Sequence, residues 1–130
     1  QLLAVEKTKE EKVAKYVVEN IQKDYVACYS FYKIAAESFK KAGKEKQIIE
    51  GLEKSADVTL KFNHDLGEVL GMPPQIMTKK TKKKVDEFTT IAKKDFSSLA
   101  NQYGLMCKKL VEDQQQRIDY WEAKGNKLIK

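Results

Sequence analysis

Apolar residues recur every three or four positions along most of this 130-residue chain, and that spacing constrains the fold more than any other feature. It places apolar side chains on one face of a helix, and no stretch alternates apolar and polar residues as a strand would. Breaks are few: the only prolines are Pro73 and Pro74, and Gly43 and Gly71 mark turns. The pattern therefore predicts an all-α fold.

Three long helices fit between these breaks, over residues 8–42, 45–70 and 76–124. They predict a single domain, residues 1–130, built as an antiparallel helical bundle. An unbroken third helix would be on the order of 70 Å long, so its apolar stripe would need a partner chain, which predicts an extended homodimer. A break near Gly104, where helix propensity drops, would instead give a monomeric four-helix bundle.

Composition excludes several classes of protein. No stretch approaches the roughly 20 apolar residues of a membrane-spanning helix, and the start QLLAVEKTKEEK lacks the features of a signal peptide. These features predict a cytoplasmic protein, unless a leader has been removed. Cys28 and Cys107 do not form a CxxC pair, and we predict that both are buried free thiols.

The sequence contains no convincing set of catalytic or metal-binding residues. His64 is the single histidine, and Asp57, Asp65 and Glu68 lie near it in the sequence. A di-metal bundle uses Glu-x-x-His motifs, but Lys61 stands three residues before His64, so a solvated acidic face explains these residues better. No nucleophile has a base partner, and no phosphate-binding loop is present. We therefore expect no enzymatic activity, no metal and no cofactor.

Clusters of lysine are more informative. The chain has 25 Lys and Arg residues against 19 Asp and Glu, a net charge of +6. One cluster follows the second predicted turn and another surrounds the first: Lys79, Lys80, Lys82, Lys83 and Lys84, then Lys40, Lys41 and Lys44. Antiparallel helices would place these two clusters at opposite ends of the bundle.

The lysine clusters have two interpretations. They can bind an anionic membrane surface, which rewards each nearby lysine by about 1 kcal/mol, or a protein partner. Alternatively, they are solvated lysines at a helix start, where the helix dipole disfavours them. Specific nucleic-acid binding is not expected, because Arg117 is the only arginine and no exposed aromatic residues alternate with the lysines.

Residues 93–125, KKDFSSLANQYGLMCKKLVEDQQQRIDYWEAKG, resemble the last helix of the BAR-domain sorting nexins, most closely over residues 114–123. The segment DYVACYSFYKIAAESFKKAG loosely resembles the first helix of that family. The resemblance implies a crescent-shaped antiparallel dimer of three-helix protomers that binds curved anionic membranes through basic patches on its concave face and tips. Ile118 and Trp121 would be apolar anchors, and Arg117 and the glutamines would face water or hydrogen-bond across a helix pair.

A second resemblance involves the segments SADVTLKFNHDLGEVLGM and VEDQQQRIDYWEAKG, whose spacing is similar to that in secreted bacterial ferritin-like bundles with two Asp-His pairs. Here Asp57 precedes Val58 and Asp113 precedes Gln114, so both histidines are missing. This resemblance implies a compact, metal-free monomer that is secreted or periplasmic, with an unknown ligand or partner. We predict a non-enzymatic, BAR-like scaffold that is peripheral to membranes, with this secreted bundle as the alternative.

Overall fold

The computed structural model describes residues 7–130; residues 1–6, on which the prediction about a leader partly rests, lie outside this range. All regular structure in the described part is helical: α1 (Lys9–Lys41), α2 (Lys46–Val69), α3 (Pro74–Glu112) and α4 (Gln114–Leu128). The all-α prediction is confirmed, and α1 and α2 match their predicted spans. The prediction of three long helices is wrong, because the third is divided.

Local signals in the sequence determine where the first helices begin and end. The hydroxyl of Thr8 caps α1 by accepting a hydrogen bond from the N–H of Glu11 at 3.2 Å. Gly43 and Gly71 have φ angles of 69° and 71°, the left-handed conformation that ends a helix and begins a tight turn. Pro74 then starts α3 at a position where the missing N–H would have had no partner in the helix.

The helix α3 reverses direction at Asp95. This residue has φ −163° and ψ 96°, and its Oδ1 accepts a hydrogen bond from the N–H of Ser97 at 3.0 Å, so it caps the helix that follows. The ring centroids of Phe88 and Tyr103 lie 4.6 Å apart. In a straight helix these two positions would be about 22 Å apart. The two parts of α3 therefore fold back on each other.

The first arm of α3 (residues 74–94) runs beside α1 and α2, and the second arm (residues 96–112) returns along α1. A smaller break at Asp113, where φ is −150°, separates the second arm from α4, which continues in the same direction. The bundle is thus up-down-up-down, with the second arm and α4 as its fourth rod. The alternative of a divided third helix is correct in giving four helices, but the division is not at Gly104, which lies within the second arm beside Phe31.

The central helix of the bundle is α1, which packs against α2, α3 and α4. Its middle is buried on nearly every side, because each side faces another helix. The core includes residues of all three helices α1, α2 and α3: Ile21, Tyr25, Phe31, Ala35, Ala56, Phe88, Leu99 and Leu110. Within residues 7–130, no helix is long and apolar enough to cross a membrane.

The last helix continues past residue 124, the predicted end of the third helix. It ends at Leu128, and Gly125 is buried against α1. A Cβ atom at this position would lie 2.9 Å from the ring of Tyr16, so a side chain would force α4 away from α1. Here the glycine serves close helix packing and does not end the helix.

A disulfide joins Cys28 of α1 to Cys107 of the second arm, so the prediction of two free thiols is wrong. The reversal of α3 explains the difference, because it carries Cys107 back along α1 until the two Cα atoms are 5.3 Å apart. Both residues are fully buried. The disulfide closes a long loop, with a sequence separation of 79 residues, and so restricts the unfolded chain.

Replacing both cysteines, as C28A/C107A, should lower the free energy of unfolding by about 4 kcal/mol, because the loop-closure entropy of the unfolded chain is restored. Urea denaturation measures the change. The unaltered protein unfolded in the presence of a reductant is the matched comparison and should give nearly the same stability. Equal stability of the oxidised protein and the variant, or two titratable thiols in the oxidised protein, would contradict the disulfide.

The reversal of α3 also predicts a monomer, because the returning arm covers the apolar face that a straight helix would leave for a second chain. For example, Phe88 on the first arm and Leu99 on the second arm are both buried. Light scattering after size-exclusion chromatography should give a mass near 14.9 kDa. A mass near twice that value would show that the chain still pairs with a copy of itself.

Candidate functional site

The candidate site is the end of the bundle formed by the α2–α3 turn, together with the lysines that follow it; we call it the α2–α3 tip (residues 69–84). The turn is narrow because Gly67 at the end of α2 has no side chain, which lets Met77 of α3 pack directly on it. The N–H of Met72 donates to the carbonyl of Gly67 at 2.8 Å and ends α2. The lysine cluster therefore begins within two turns of the end of the bundle.

Four of the five predicted tip lysines have exposed side chains and form no salt bridge with any residue of the described chain: Lys79, Lys80, Lys82 and Lys83. Lys84 differs, because its Nζ lies 3.0 Å from Oε2 of Glu87. Asp86 and Glu87 share a shallow groove with three of the free lysines and reduce the positive potential one turn further along α3. The positive charge is therefore concentrated toward the turn.

Exposed apolar side chains flank the same turn. Val69, at the last position of α2, is 72% exposed, and Ile76, in the first turn of α3, is 42% exposed. Ile76 shares one helix face with Lys79, Lys80 and Lys83, because these positions follow it by three, four and seven residues. The tip thus combines apolar and cationic side chains on one surface.

The second predicted cluster lies at the opposite end of α2, a helix of 24 residues that spans about 36 Å. Lys40 is paired there, with its Nζ 3.0 Å from Oε2 of Glu53, whereas Lys41 and Lys44 form no salt bridge with the described residues. The structure therefore keeps the two predicted lysine clusters apart.

Two lysines at this far end were not among the predicted site residues. Lys93 and Lys94 directly precede the reversal at Asp95, and the reversal lies near the α1–α2 turn because the rings of Phe39 and Phe96 are 6.2 Å apart. The far end therefore carries Lys93 and Lys94 in addition to the lysines of the first turn. The signal was present as an aspartate, a good helix-capping residue, directly after a pair of lysines.

Residues 114–121, within the segment that resembles other families, connect α4 to α1 by hydrogen bonds. Both carboxylate oxygens of Asp24 accept hydrogen bonds from Arg117, from Nε at 2.8 Å and from Nη2 at 3.3 Å. The indole Nε1 of Trp121 donates to the same carboxylate at 2.7 Å. Gln114 Nε2 donates to the hydroxyl of Tyr25 at 2.7 Å. Of the two outcomes expected for Arg117 and the glutamines, Arg117 and Gln114 hydrogen-bond across the helix pair, whereas Gln115 and Gln116 are exposed.

A second polar cluster joins three rods inside the core. Asn63 of α2, which interrupts the apolar stripe of its helix, is fully buried. Its Oδ1 accepts from Nε2 of Gln22 at 2.6 Å, and its Nδ2 donates to Oγ1 of Thr81 at 2.9 Å. Thr81 donates in turn to the carbonyl of Met77 at 2.8 Å. This chain of bonds satisfies the buried amides and sets the register of α2 against α1 and α3.

Two tyrosines of α1 have raised pKa values. Burial raises the pKa of Tyr25 above its usual value of 10.0, an effect that the hydrogen bond from Gln114 opposes, and burial also raises the pKa of Tyr32. Both tyrosines therefore stay protonated at neutral pH. Within residues 7–130, no group of three or more His, Cys, Asp or Glu side chains is arranged to hold a metal ion, and His64 is exposed.

Comparison with known proteins adds no relative. No protein-family model, no curated protein and no solved structure matches this chain.

Replacing Asp24 with alanine should destabilise the protein by about 3 kcal/mol, because it leaves the guanidinium of Arg117 and the indole N–H of Trp121 without their acceptor. Urea denaturation measures the stability, and tryptophan fluorescence reports whether α4 stays in place. The matched control is Asp65→Ala, which removes an exposed carboxylate of α2. Equal stabilities of the two variants would show that the Asp24 cluster does not hold α4.

Proposed function

We propose that this chain is a non-enzymatic, disulfide-bonded four-helix module that binds anionic membrane surfaces through its α2–α3 tip, in an oxidising compartment. The observation that carries the proposal is the combination, at one end of the bundle, of four free lysines with exposed Val69 and Ile76. If the lysines only contacted water, there would be no reason for apolar side chains to be exposed beside them. A membrane interface accommodates both kinds of side chain.

The magnitudes support a reversible attachment. Four lysines near an anionic leaflet contribute about 4 kcal/mol, and salt screens that attraction beyond about 10 Å. Burying an aliphatic side chain completely contributes about 1.5 to 3 kcal/mol, so partial burial of Val69 and Ile76 adds a comparable amount. Neither contribution alone would hold a protein of this size tightly, whereas both together favour binding through the tip.

The far end of the bundle is the competing surface. It also has free lysines, and Ile48 and Ile91 are exposed near it. The free lysines of the far end lie on α1, the α1–α2 turn and the first arm of α3, whereas the free tip lysines occupy one stretch of a single helix, residues 79–83. Val69 at the tip is also the most exposed large apolar residue of the described chain. These features favour the tip.

The disulfide favours the secreted or periplasmic alternative over the cytoplasmic prediction, because stable disulfides form in oxidising compartments and are rare in the cytosol. The four rods likewise favour the ferritin-like resemblance over the BAR-like one. A crescent of the BAR type requires a long third helix, and α3 folds back at Asp95. We therefore propose tip-mediated membrane binding without the crescent dimer.

Removing the four free tip lysines, as K79Q/K80Q/K82Q/K83Q, should weaken sedimentation with vesicles of phosphatidylserine and phosphatidylcholine at least about tenfold, because each lysine loses its attraction to the anionic leaflet. Two variants with the same loss of charge are the controls. One removes the far-end lysines, K41Q/K44Q/K93Q/K94Q, and the other removes scattered exposed lysines, K12Q/K23Q/K61Q/K108Q.

The pattern across the three variants decides the proposal. A much larger loss for the tip variant, release of the unaltered protein by salt and no binding to pure phosphatidylcholine would support it. A larger loss for the far-end variant would move the site to the other end of the bundle. Equal losses for all three variants would show that only net charge matters, and failure of the unaltered protein to bind anionic vesicles would refute membrane binding.

A further inference from the structure

A groove of about 340 Å³ lies where α1, α2 and the first arm of α3 meet, and we call it the three-rod groove. Its polar lining consists mainly of Tyr29 and Lys33 of α1, His64 of α2, and Thr78 and Lys82 of α3. Residues from three rods therefore converge on one place. Its volume falls within the range of about 300 to 1,000 Å³ that is typical of small-molecule sites.

The charged side chains that line the three-rod groove are lysines. Lys33 and Lys82 line it, and no aspartate or glutamate of the described chain does. Nζ of Lys33 lies 3.8 Å from Oε1 of Glu37, which lines a neighbouring groove together with Asp57. Lys82 forms no salt bridge with any described residue. The positive charge of Lys82 therefore remains after Glu37 is counted as the counterion of Lys33.

Two hydroxyl groups of the groove are free to donate hydrogen bonds. The other threonines within the helices all donate to the carbonyl four residues earlier: Thr59, Thr81, Thr89 and Thr90. Thr78 makes no such bond, and the hydroxyl of half-buried Tyr29 bonds to no residue of the described chain. Both hydroxyls can therefore donate to the oxygen atoms of a ligand.

The remainder of the lining is largely apolar. Leu60 of α2 and Val85 of α3 both line the groove, and both are half-buried. Water screens an ion pair less beside apolar side chains than on an open surface, so the attraction between a lysine and an anion is stronger there. The groove therefore favours an anion that can also accept several hydrogen bonds.

We propose that the three-rod groove binds a phosphomonoester, carried by a lipid head group or by a small soluble ester. A phosphomonoester has three terminal oxygens and a charge of about −1.5 to −2 at pH 7. Two ammonium groups and two hydroxyls provide both the charge and the donors, and a neutral His64 can add one N–H. A carboxylate or a phosphodiester has one charge and two free oxygens, so it would use fewer of these groups.

The lipid form of this ligand rests on the membrane binding proposed above for the α2–α3 tip. Thr78 and Lys82 lie four and eight residues after Pro74, about 6 and 12 Å from the start of α3. The groove is therefore next to the surface that would face the membrane. The tip would attract anionic lipids in general, whereas the groove would add a preference for phosphatidic acid, whose head group is a phosphomonoester.

Sedimentation with two kinds of vesicle tests this preference. One kind contains phosphatidic acid, and the other contains phosphatidylserine, which is a phosphodiester. Their phosphatidylcholine content is adjusted until both have the same electrophoretic mobility. The unaltered protein should bind the phosphatidic acid vesicles about three- to tenfold more tightly, because the monoester accepts additional charge-assisted hydrogen bonds in the groove.

Lys33 permits a variant that leaves the tip intact. Lys33→Gln should lower binding to phosphatidic acid vesicles about three- to tenfold and should lower binding to phosphatidylserine vesicles much less. Lys15→Gln is the matched control, because Lys15 also lies on α1 and its Nζ is also 3.8 Å from a glutamate, Glu19, but outside the groove. Tyr29→Phe, which removes only the hydroxyl, should reduce the preference about two- to threefold. Circular dichroism checks that each variant keeps its fold.

Calorimetry with glycerol 3-phosphate, and with dimethyl phosphate as the diester control, tests the groove without a membrane. A preference for phosphatidic acid that Lys33→Gln and Tyr29→Phe reduce and Lys15→Gln does not would support the lipid form of the ligand. Binding of glycerol 3-phosphate that Lys33→Gln weakens, without a preference between the vesicles, would identify a soluble ester as the ligand.

Two further results separate this site from the proposed membrane function. Equal binding to both kinds of vesicle with no binding of glycerol 3-phosphate, or equal effects of Lys33→Gln and Lys15→Gln, would overturn the phosphomonoester site and leave membrane binding through the tip unaffected. Binding of glycerol 3-phosphate by a protein that sediments with neither kind of vesicle would support the groove and refute the membrane function.

Discussion

The hydrogen bond between the carboxylate of Asp95 and the N–H of Ser97 marks the reversal on which the rest of the structure depends. By ending one arm of α3 and starting the next, the reversal turns a helix that would project from the bundle into two rods that cover each other. It also returns Cys107 to Cys28 and brings α4 to Asp24. The disulfide, the Asp24 cluster and the apolar core all follow from this one change of direction.

Polar contacts with α1 fix the positions of the other helices. Apolar packing alone would define these positions less well. Asp24 fixes α4 through Arg117, and Gln22 fixes α2 through Asn63. Since unpaired buried polar groups are costly, a shift of either helix by one turn would be strongly disfavoured. The sequence segment that resembles other families therefore has a structural role in this protein, because it packs the last helix against α1.

The surface of the bundle divides into regions with different chemistry. The α2–α3 tip combines free lysines with exposed Val69 and Ile76, which suits an anionic interface. A shallow groove at Asp113 combines exposed Leu105 with both cationic and anionic side chains. Both regions lie on a scaffold cross-linked by a disulfide, so side chains on the surface can be replaced with little risk to the fold.

By itself the sequence determined the helical class, the two glycine turns and the positions of the lysine clusters, because helix periodicity, left-handed glycines and charge are properties of short segments. Asp95 has a local signal, the capping preference of aspartate, but it lies inside a continuous apolar pattern that predicts an unbroken helix. Only the tertiary structure decided that Cys28 meets Cys107, that Asn63 is buried and that Lys93 and Lys94 join the far end. Each of these depends on residues far apart in the chain, and their distance is set by the direction in which the third helix returns.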